Sequence, residues 1–124
     1  METKPPKVSV TVTSYNYAKY IGQTIESILG QTFEDFELVI IDDASTDKSV
    51  EIIKKYAARD GRIRLHVNKK NKGYAQTLED VAAMAQGTYL VHMDSDDWIK
   101  SPTAFERQVA ILEANPDVVF VYSV

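Results

Sequence analysis

Apolar and polar positions along the chain switch between two periods. Residues 8–13 read Val-Ser-Val-Thr-Val-Thr, a strict alternation of mostly β-branched residues that predicts a strand. Ser14, Tyr15, Asn16 and Tyr17 follow as a polar, aromatic loop. Ile21, Ile25, Ile28 and Leu29 then recur at helical spacing over 20–29, with Gly30 at the expected stop. Residues 36–41 are nearly continuous and apolar, as in a buried parallel strand, and end abruptly in Asp42-Asp43. Ser45, Thr46 and Asp47 offer caps for a helix to residue 58, with Val50, Ile53 and Tyr56 or Ala57 inward. After a turn at Asp60-Gly61, residues 63–67 predict a third strand and 68–73 a polar loop holding Lys69, Lys70 and Lys72. Residues 74–85 predict a helix with Leu78, Val81, Ala82 and Ala85 inward and Gly87 at its end. A fourth strand over 88–93 runs straight into Asp94-Ser95-Asp96-Asp97. Ser101-Pro102 reads as N-cap and first residue of a helix to residue 114, and 118–122 as a fifth strand.

The resulting order, β-α-β-α-β-α-β-α-β, predicts an α/β fold: a parallel, doubly wound sheet with helices on both faces. The 124 residues fit one domain. A chain ending on a strand suggests a truncation, and an exposed terminal strand would favour association into a homo-oligomer.

Composition narrows the function. With 14 basic and 18 acidic residues the formal charge is −4, and Lys and Arg are not bunched on one element, so no nucleic-acid partner is expected. A negative chain that binds an anion needs a metal, backbone N–H groups or a few placed cations. The absence of cysteine excludes disulfides and thiolate metal sites. No apolar run approaches the roughly 20 residues of a membrane span, and the first seven residues are too polar for a signal peptide. A soluble, cytoplasmic location is expected, with attachment at the inner face of a membrane left open.

In open α/β sheets, ligands bind beyond the carboxyl ends of the strands. Three strands end in polar clusters: Thr13-Ser14-Tyr15-Asn16, Asp42-Asp43-Ala44-Ser45 and Asp94-Ser95-Asp96-Asp97. A parallel sheet puts all three on one edge. The last cluster packs three carboxylates into four residues, whose repulsion is costly without a cation or several donors. Hard divalent cations take oxygen ligands, and Mg²⁺ binds through one or two carboxylates plus substrate phosphates. The plainer alternative is a solvated acidic turn. Asp42 and Asp43 could accept hydrogen bonds from a base or ribose, although Asp43 or Ser45 could equally cap the next helix. Tyr15 could stack on a base or simply pack. Lys72-Gly73 ends a turn at a helix N-terminus, which favours anions. Trp98 is expected to pack, and His66 and His92, lacking metal-ligand spacing, to be structural.

Taken in register, residues 8–16, 27–33 and 39–47, then Asn71-Lys72-Gly73, Ala85-Gln86-Gly87 and Asp94-Ser95-Asp96-Asp97, resemble the family 2 inverting glycosyltransferases, including the spore-coat polysaccharide and capsule or exopolysaccharide enzymes. The resemblance implies a GT-A fold, with a Rossmann-like, mostly parallel sheet flanked by helices. It implies a nucleotide-diphosphate sugar donor, commonly a UDP-sugar, and a glycan or lipid-linked acceptor. Thr13 and Tyr15 would line the nucleoside pocket, and Asp43 would hydrogen-bond the base. Asp94 and the adjoining Ser95 would face the ribose or metal. Asp96 would coordinate the Mn²⁺ or Mg²⁺ that bridges the diphosphate. Family members run to about twice this length by the domain-size rule, with their acceptor site and general base after the fifth strand. A donor-binding half with weak or no transfer on its own is therefore expected.

Three other readings share some of these features. A receiver domain would need an acidic pair after its first strand, where Thr13-Ser14 stand. A haloacid-dehalogenase-like phosphatase would carry its Asp-x-Asp on the first strand, and here it follows the fourth. A non-catalytic donor-binding module of the transferase fold would retain the same site.

Overall fold

The computed structural model describes residues 4–117. Eight elements follow one another: β1 (Val8–Ser14), α1 (Ala18–Leu29), β2 (Phe36–Asp42), α2 (Ser49–Arg59), β3 (Ile63–Val67), α3 (Tyr74–Ala83), β4 (Tyr89–Asp94) and α4 (Ala104–Ala114). The four strands form one sheet in the order β3-β2-β1-β4, every pair parallel. The fifth strand expected over 118–122 lies outside the described residues.

Right-handed crossovers explain the layering. From β1 to β3 the chain steps one way across the sheet, so α1 and α2 lie on one face. From β3 it returns past β2 and β1 to β4, which puts α3 on the other. The first face holds the main core: Val8, Val10 and Val12 of β1, Leu38 and Ile40 of β2, Ile21, Ile25 and Ile28 of α1, Ile53 of α2, and Phe105 and Val109 of α4. The second face holds a smaller cluster, Val39, Ile41 and Val81, with Met84 against it. The β1 alternation is thus a division of labour, valines to the large core and Ser9, Thr11 and Thr13 to the α3 side. The direction of crossing reverses between β1 and β4, and such a switch point opens a crevice at the strand ends.

Ser9 and Glu37 make the second face polar at its lower end. The Ser9 hydroxyl donates to Glu37 Oε2 at 2.5 Å, and the Gln86 N–H donates to the same oxygen at 2.7 Å. Arg64 Nη2 donates to Glu37 Oε1 at 2.6 Å and to the Met84 carbonyl at 2.7 Å, and the Gly87 N–H donates to Ser9 Oγ at 2.8 Å. This network pins the α3–β4 connection to the sheet. Gly87 is required there by proximity: a Cβ would lie 2.8 Å from Ser9 N and Oγ. Gly87 was expected to end the helix, but α3 stops at Ala83, several residues earlier. Ala82, expected inward, is exposed.

One cap assignment changes and another narrows to a single residue. Helix α4 begins at Ala104 rather than at Pro102, and its Phe105 N–H is accepted by Gln31 Oε1 at 3.1 Å, not by Ser101. For α2, Asp47 supplies the cap, accepting the Ser49 N–H at 2.9 Å, and it also accepts the Ala18 N–H at 3.0 Å. One carboxylate therefore serves the N-termini of two helices, a placement the helix dipole favours.

Gly87→Ala should lower the unfolding free energy by roughly 1–3 kcal/mol through overpacking against β1, read by urea denaturation. Burial opposes ionisation of Glu37, but its bonds from Ser9, Gln86 and Arg64 outweigh it and lower its pKa below the ordinary 4.5. Ionised Glu37 therefore contributes stability that is fully present above 4.5 and is lost as pH falls through the lower folded value. Urea midpoints measured down the acid limb should fall less steeply in Glu37→Gln, which has no such proton to take up.

Candidate functional site

Three strand ends meet at one level because the parallel register aligns them. Thr13 pairs with Asp94 across β1 and β4, and Ser14 with Asp42 across β1 and β2. Beyond these pairs lies a cavity of about 430 Å³, within the usual range for small-ligand sites. Thr13, Ser14, Tyr15 and Tyr17 line it from β1 and its loop, and Asp43 from β2. Asn71, Gly73, Tyr74 and Thr77 line it from the start of α3, and Asp94, Ser95 and Asp96 from β4.

Asp43 organises one end. Its carboxylate is buried, 4% exposed, and needs donors. Oδ1 accepts Asn68 Nδ2 at 2.9 Å and the Lys72 N–H at 2.7 Å, while Oδ2 accepts the Gly73 N–H at 2.9 Å. Burial alone would raise its pKa, but the donors, led by the Lys72 N–H and Asn68, hold it below the usual carboxylate range. The Thr77 hydroxyl, buried and with no other partner, adds a further donor beside the same carboxylate. Gly73, at φ +91°, sits where L side chains rarely fit, and this turn brings two successive N–H groups onto one carboxylate. The alternative that Asp43 or Ser45 caps α2 does not hold, because Asp43 is spent on the α3 loop and Ser45 on Asn16 and Asp42.

Asp42 does not line the cavity, contrary to the expectation that it would touch a ligand. It is wholly buried. Its oxygens accept the Ser45 N–H at 2.8 Å, the Ser45 hydroxyl at 2.6 Å and the Ser14 hydroxyl at 3.1 Å. The reason is that its oxygens are spent on the turn after β2 and on Ser14, while strand parity sets it on the face opposite Asp43. Asp42 instead holds Ala44 at φ +64°, a left-handed conformation that is costly for a non-glycine residue. Lys72 also departs from expectation. Its backbone serves Asp43, but its ammonium lies 3.5 Å from Asp80, and the residue is not in the lining.

At the other end the β4 strand delivers Asp94, Ser95, Asp96 and Asp97 as a turn closed by the Asp97 N–H on the Asp94 carbonyl at 3.0 Å. Carboxylate oxygens of Asp94, Asp96 and Asp97 lie within 4.8 Å of one another. Asp96 and Asp97 are exposed, so waters could complete a coordination shell, and the donor set is all hard oxygen, as Mg²⁺ or Mn²⁺ requires. Ser95 is buried, and the loop is held from below by the Thr24 hydroxyl of α1, which meets the Ser95 carbonyl at 3.0 Å and the Asp97 carbonyl. Trp98 does not pack as expected: it is 48% exposed, with the Lys100 ammonium 5.9 Å from its ring.

Several contributors were not read from the sequence. Tyr74 Oη donates to Asp94 Oδ1 at 2.9 Å, and His92 Nε2 lies 3.3 Å from the same oxygen. His92 and Asp94 are two apart on a strand, so they share a face, and that parity was the available signal. Asn68 and Thr77 carry no such signal, since only the fold brings them to Asp43 and the cavity.

Asp43→Ala should destabilise the fold by roughly 3 kcal/mol, because the donors of Asn68, Lys72 and Gly73 lose a charged acceptor together, with the loss read as a lower urea midpoint.

The family model described as Glycosyl transferase family 2 matches residues 9–124. EpsE of Bacillus subtilis (strain 168), a glycosyltransferase by name, is 44% identical over 109 residues, covering 87% of this chain and 39% of EpsE. S. aureus TarS 1-349, solved in complex with UDP, matches with TM-score 0.81 at 30% identity, over 87% of this chain and 32% of that one. The mannosyltransferase PcManGT of Pyrobaculum calidifontis, solved with GDP-Man and Mn²⁺, matches with TM-score 0.83 at 28% identity, over 94% and 34%. The sheet and its flanking helices match the GT-A, Rossmann-like fold of these neighbours. The chain spans about two fifths of the length of the curated relatives it matches.

Proposed function

Because this chain belongs to glycosyl transferase family 2, we propose that it supplies the donor site of an enzyme transferring a sugar from a nucleotide diphosphate to an acceptor hydroxyl. The observation that carries this is the meeting, in one cavity, of the buried Asp43 carboxylate and an exposed carboxylate cluster. The first suits a base edge, the second a metal-bound diphosphate. The complexes of the structural neighbours with UDP and with GDP-Man support the same assignment.

A UDP-sugar is the donor we favour. The neighbour solved with UDP supports this choice, as does the single imide N–H of uracil, which asks only one acceptor of Asp43. The edge of guanine presents two adjacent donors and would ask more of a carboxylate that already takes Asn68, Lys72 and Gly73. Tyr15 and Thr13 flank the same end and would hold the nucleoside, with Tyr15, 45% exposed, free to stack on it.

Asp96, with Asp94, would hold the Mn²⁺ or Mg²⁺, which when bound would place positive charge against the departing diphosphate. Ser95 lines the cavity between them, in a turn that Thr24 holds through the Ser95 and Asp97 carbonyls. Inversion requires in-line attack by the acceptor hydroxyl with a carboxylate as base. We assign none of the cavity carboxylates to that role, since Asp43 is committed to the base end and Asp94 and Asp96 to the diphosphate. A polysaccharide or cell-surface glycan acceptor, free or lipid-linked, fits the family. No helix among the described residues is long and apolar enough to cross a membrane.

Isothermal titration tests this reading. UDP should bind in the presence of Mn²⁺ about tenfold or more tightly than GDP, equal to about 1.4 kcal/mol. Asp96→Ala should remove the gain from Mn²⁺ and keep the metal-free affinity. Absence of heat with UDP, GDP and dTDP alike, metal present, would overturn the assignment.

A further inference from the structure

His92 lies outside the cavity lining, yet it connects the sheet interior to the acidic cluster. On β4 it pairs in register with Thr11 of β1, and the Thr11 hydroxyl lies 3.0 Å from His92 Nδ1. The other ring nitrogen lies 3.3 Å from Asp94 Oδ1. A neutral imidazole satisfies both contacts in one arrangement: Thr11 donates to Nδ1, and Nε2–H donates to Asp94. The opposite tautomer would set a lone pair on Nε2 against the carboxylate. It would also turn the Thr11 proton toward the Val91 carbonyl, its other acceptor, at a longer 3.5 Å. Asp94 therefore selects the tautomer, and Thr11 fixes the plane of the ring.

From the opposite wall, Tyr74 Oη donates to the same Asp94 Oδ1 at 2.9 Å. Two donors use both lone pairs of that oxygen. Oδ2 is left, among the described residues, as the Asp94 oxygen without a protein donor, and the carboxylate is held by a clamp with one jaw on β4 and the other on α3.

We propose that His92 is a positioning residue for the metal and diphosphate end of the site, and that with Tyr74 it makes Asp94 a one-oxygen ligand. This rests on the donor-site reading above. Partners of this kind fix the orientation of a ligating group and set its affinity, and their loss typically costs about 10–100-fold in metal binding.

The test is Mn²⁺ titration of the chain by electron paramagnetic resonance, with and without UDP, beside UDP binding without metal. His92→Phe should weaken Mn²⁺ binding by about tenfold or more and leave metal-free UDP affinity unchanged. His92→Gln, whose amide N–H can reach Asp94, should recover most of the loss. Tyr74→Phe should show a smaller loss of the same kind. Thermal melting of each variant establishes that it is folded. If His92→Phe does not fold, Thr11→Val, which frees the ring but keeps it, should show the metal-specific loss instead. Wild-type protein that binds UDP without any gain from Mn²⁺ would overturn the metal reading and this inference with it. Wild-type protein that gains from Mn²⁺, with folded His92→Phe, or Thr11→Val in its place, gaining equally, would overturn this inference alone. An equal loss of metal-free and metal-dependent binding would also overturn it, by showing general damage.

Discussion

A buried carboxylate must find donors, and the way Asp43 finds its own shapes most of this cavity. Asn68 reaches it from the end of β3, and the N–H groups of Lys72 and Gly73 from the turn before α3. The turn can present two N–H groups in succession only because Gly73 tolerates a positive φ. Helix α3 starts where that turn leaves it, so Tyr74 and Thr77 face the cavity as a consequence of how one charge is satisfied. The same bonds hold the Asp43 pKa below the usual carboxylate range.

The site is also a product of opposed packing demands on one sheet. The large core claims the valines of β1 and forces Ser9, Thr11 and Thr13 to the side of α3. Those polar positions then become useful in sequence along the strand. Ser9 anchors the α3–β4 connection with Glu37, Thr11 meets His92, and Thr13 lines the cavity. A strand face that packs little hydrocarbon thereby supplies a file of hydroxyls leading to the ligand.

Most of the scaffold was legible in the sequence. Periodicity located four strands and four helices, and parallel geometry alone placed Thr13, Asp43 and Asp94 on one edge. Three kinds of information were not legible. Residue pairs at strand ends, such as Asp42 and Asp43, look alike in sequence, but parity assigns one to the ligand side and buries the other. Caps supplied from far away, such as Gln31 for α4, leave no local signal, because the residue that satisfies the helix is not adjacent to it. Lys72 and Trp98 illustrate a third limit: a side chain's destination depends on neighbours such as Asp80 and Lys100 that only the folded chain brings near. The identity of the family came from several short motifs in register, and the structure gives each a reason. Residues 27–33 hold α4 through Gln31, residues 85–87 seat the connection on β1, and 71–73 serve Asp43.

Gly87 and Asp94 stand at the two ends of one measured length of chain. The first is fixed by contact with β1, with no room for even one added carbon. The second must arrive at the level of Thr13 and on the face of His92. Between them the backbone behaves as a ruler that counts in steps of two. A residue inserted or deleted inside that span would leave the strand paired and the sheet intact, yet turn Asp94 toward the large core and bring its neighbour to the cavity. The acidic cluster is thus protected less by its own composition than by a fixed count of residues, and changes of length should be confined in such chains to the loops on either side of it.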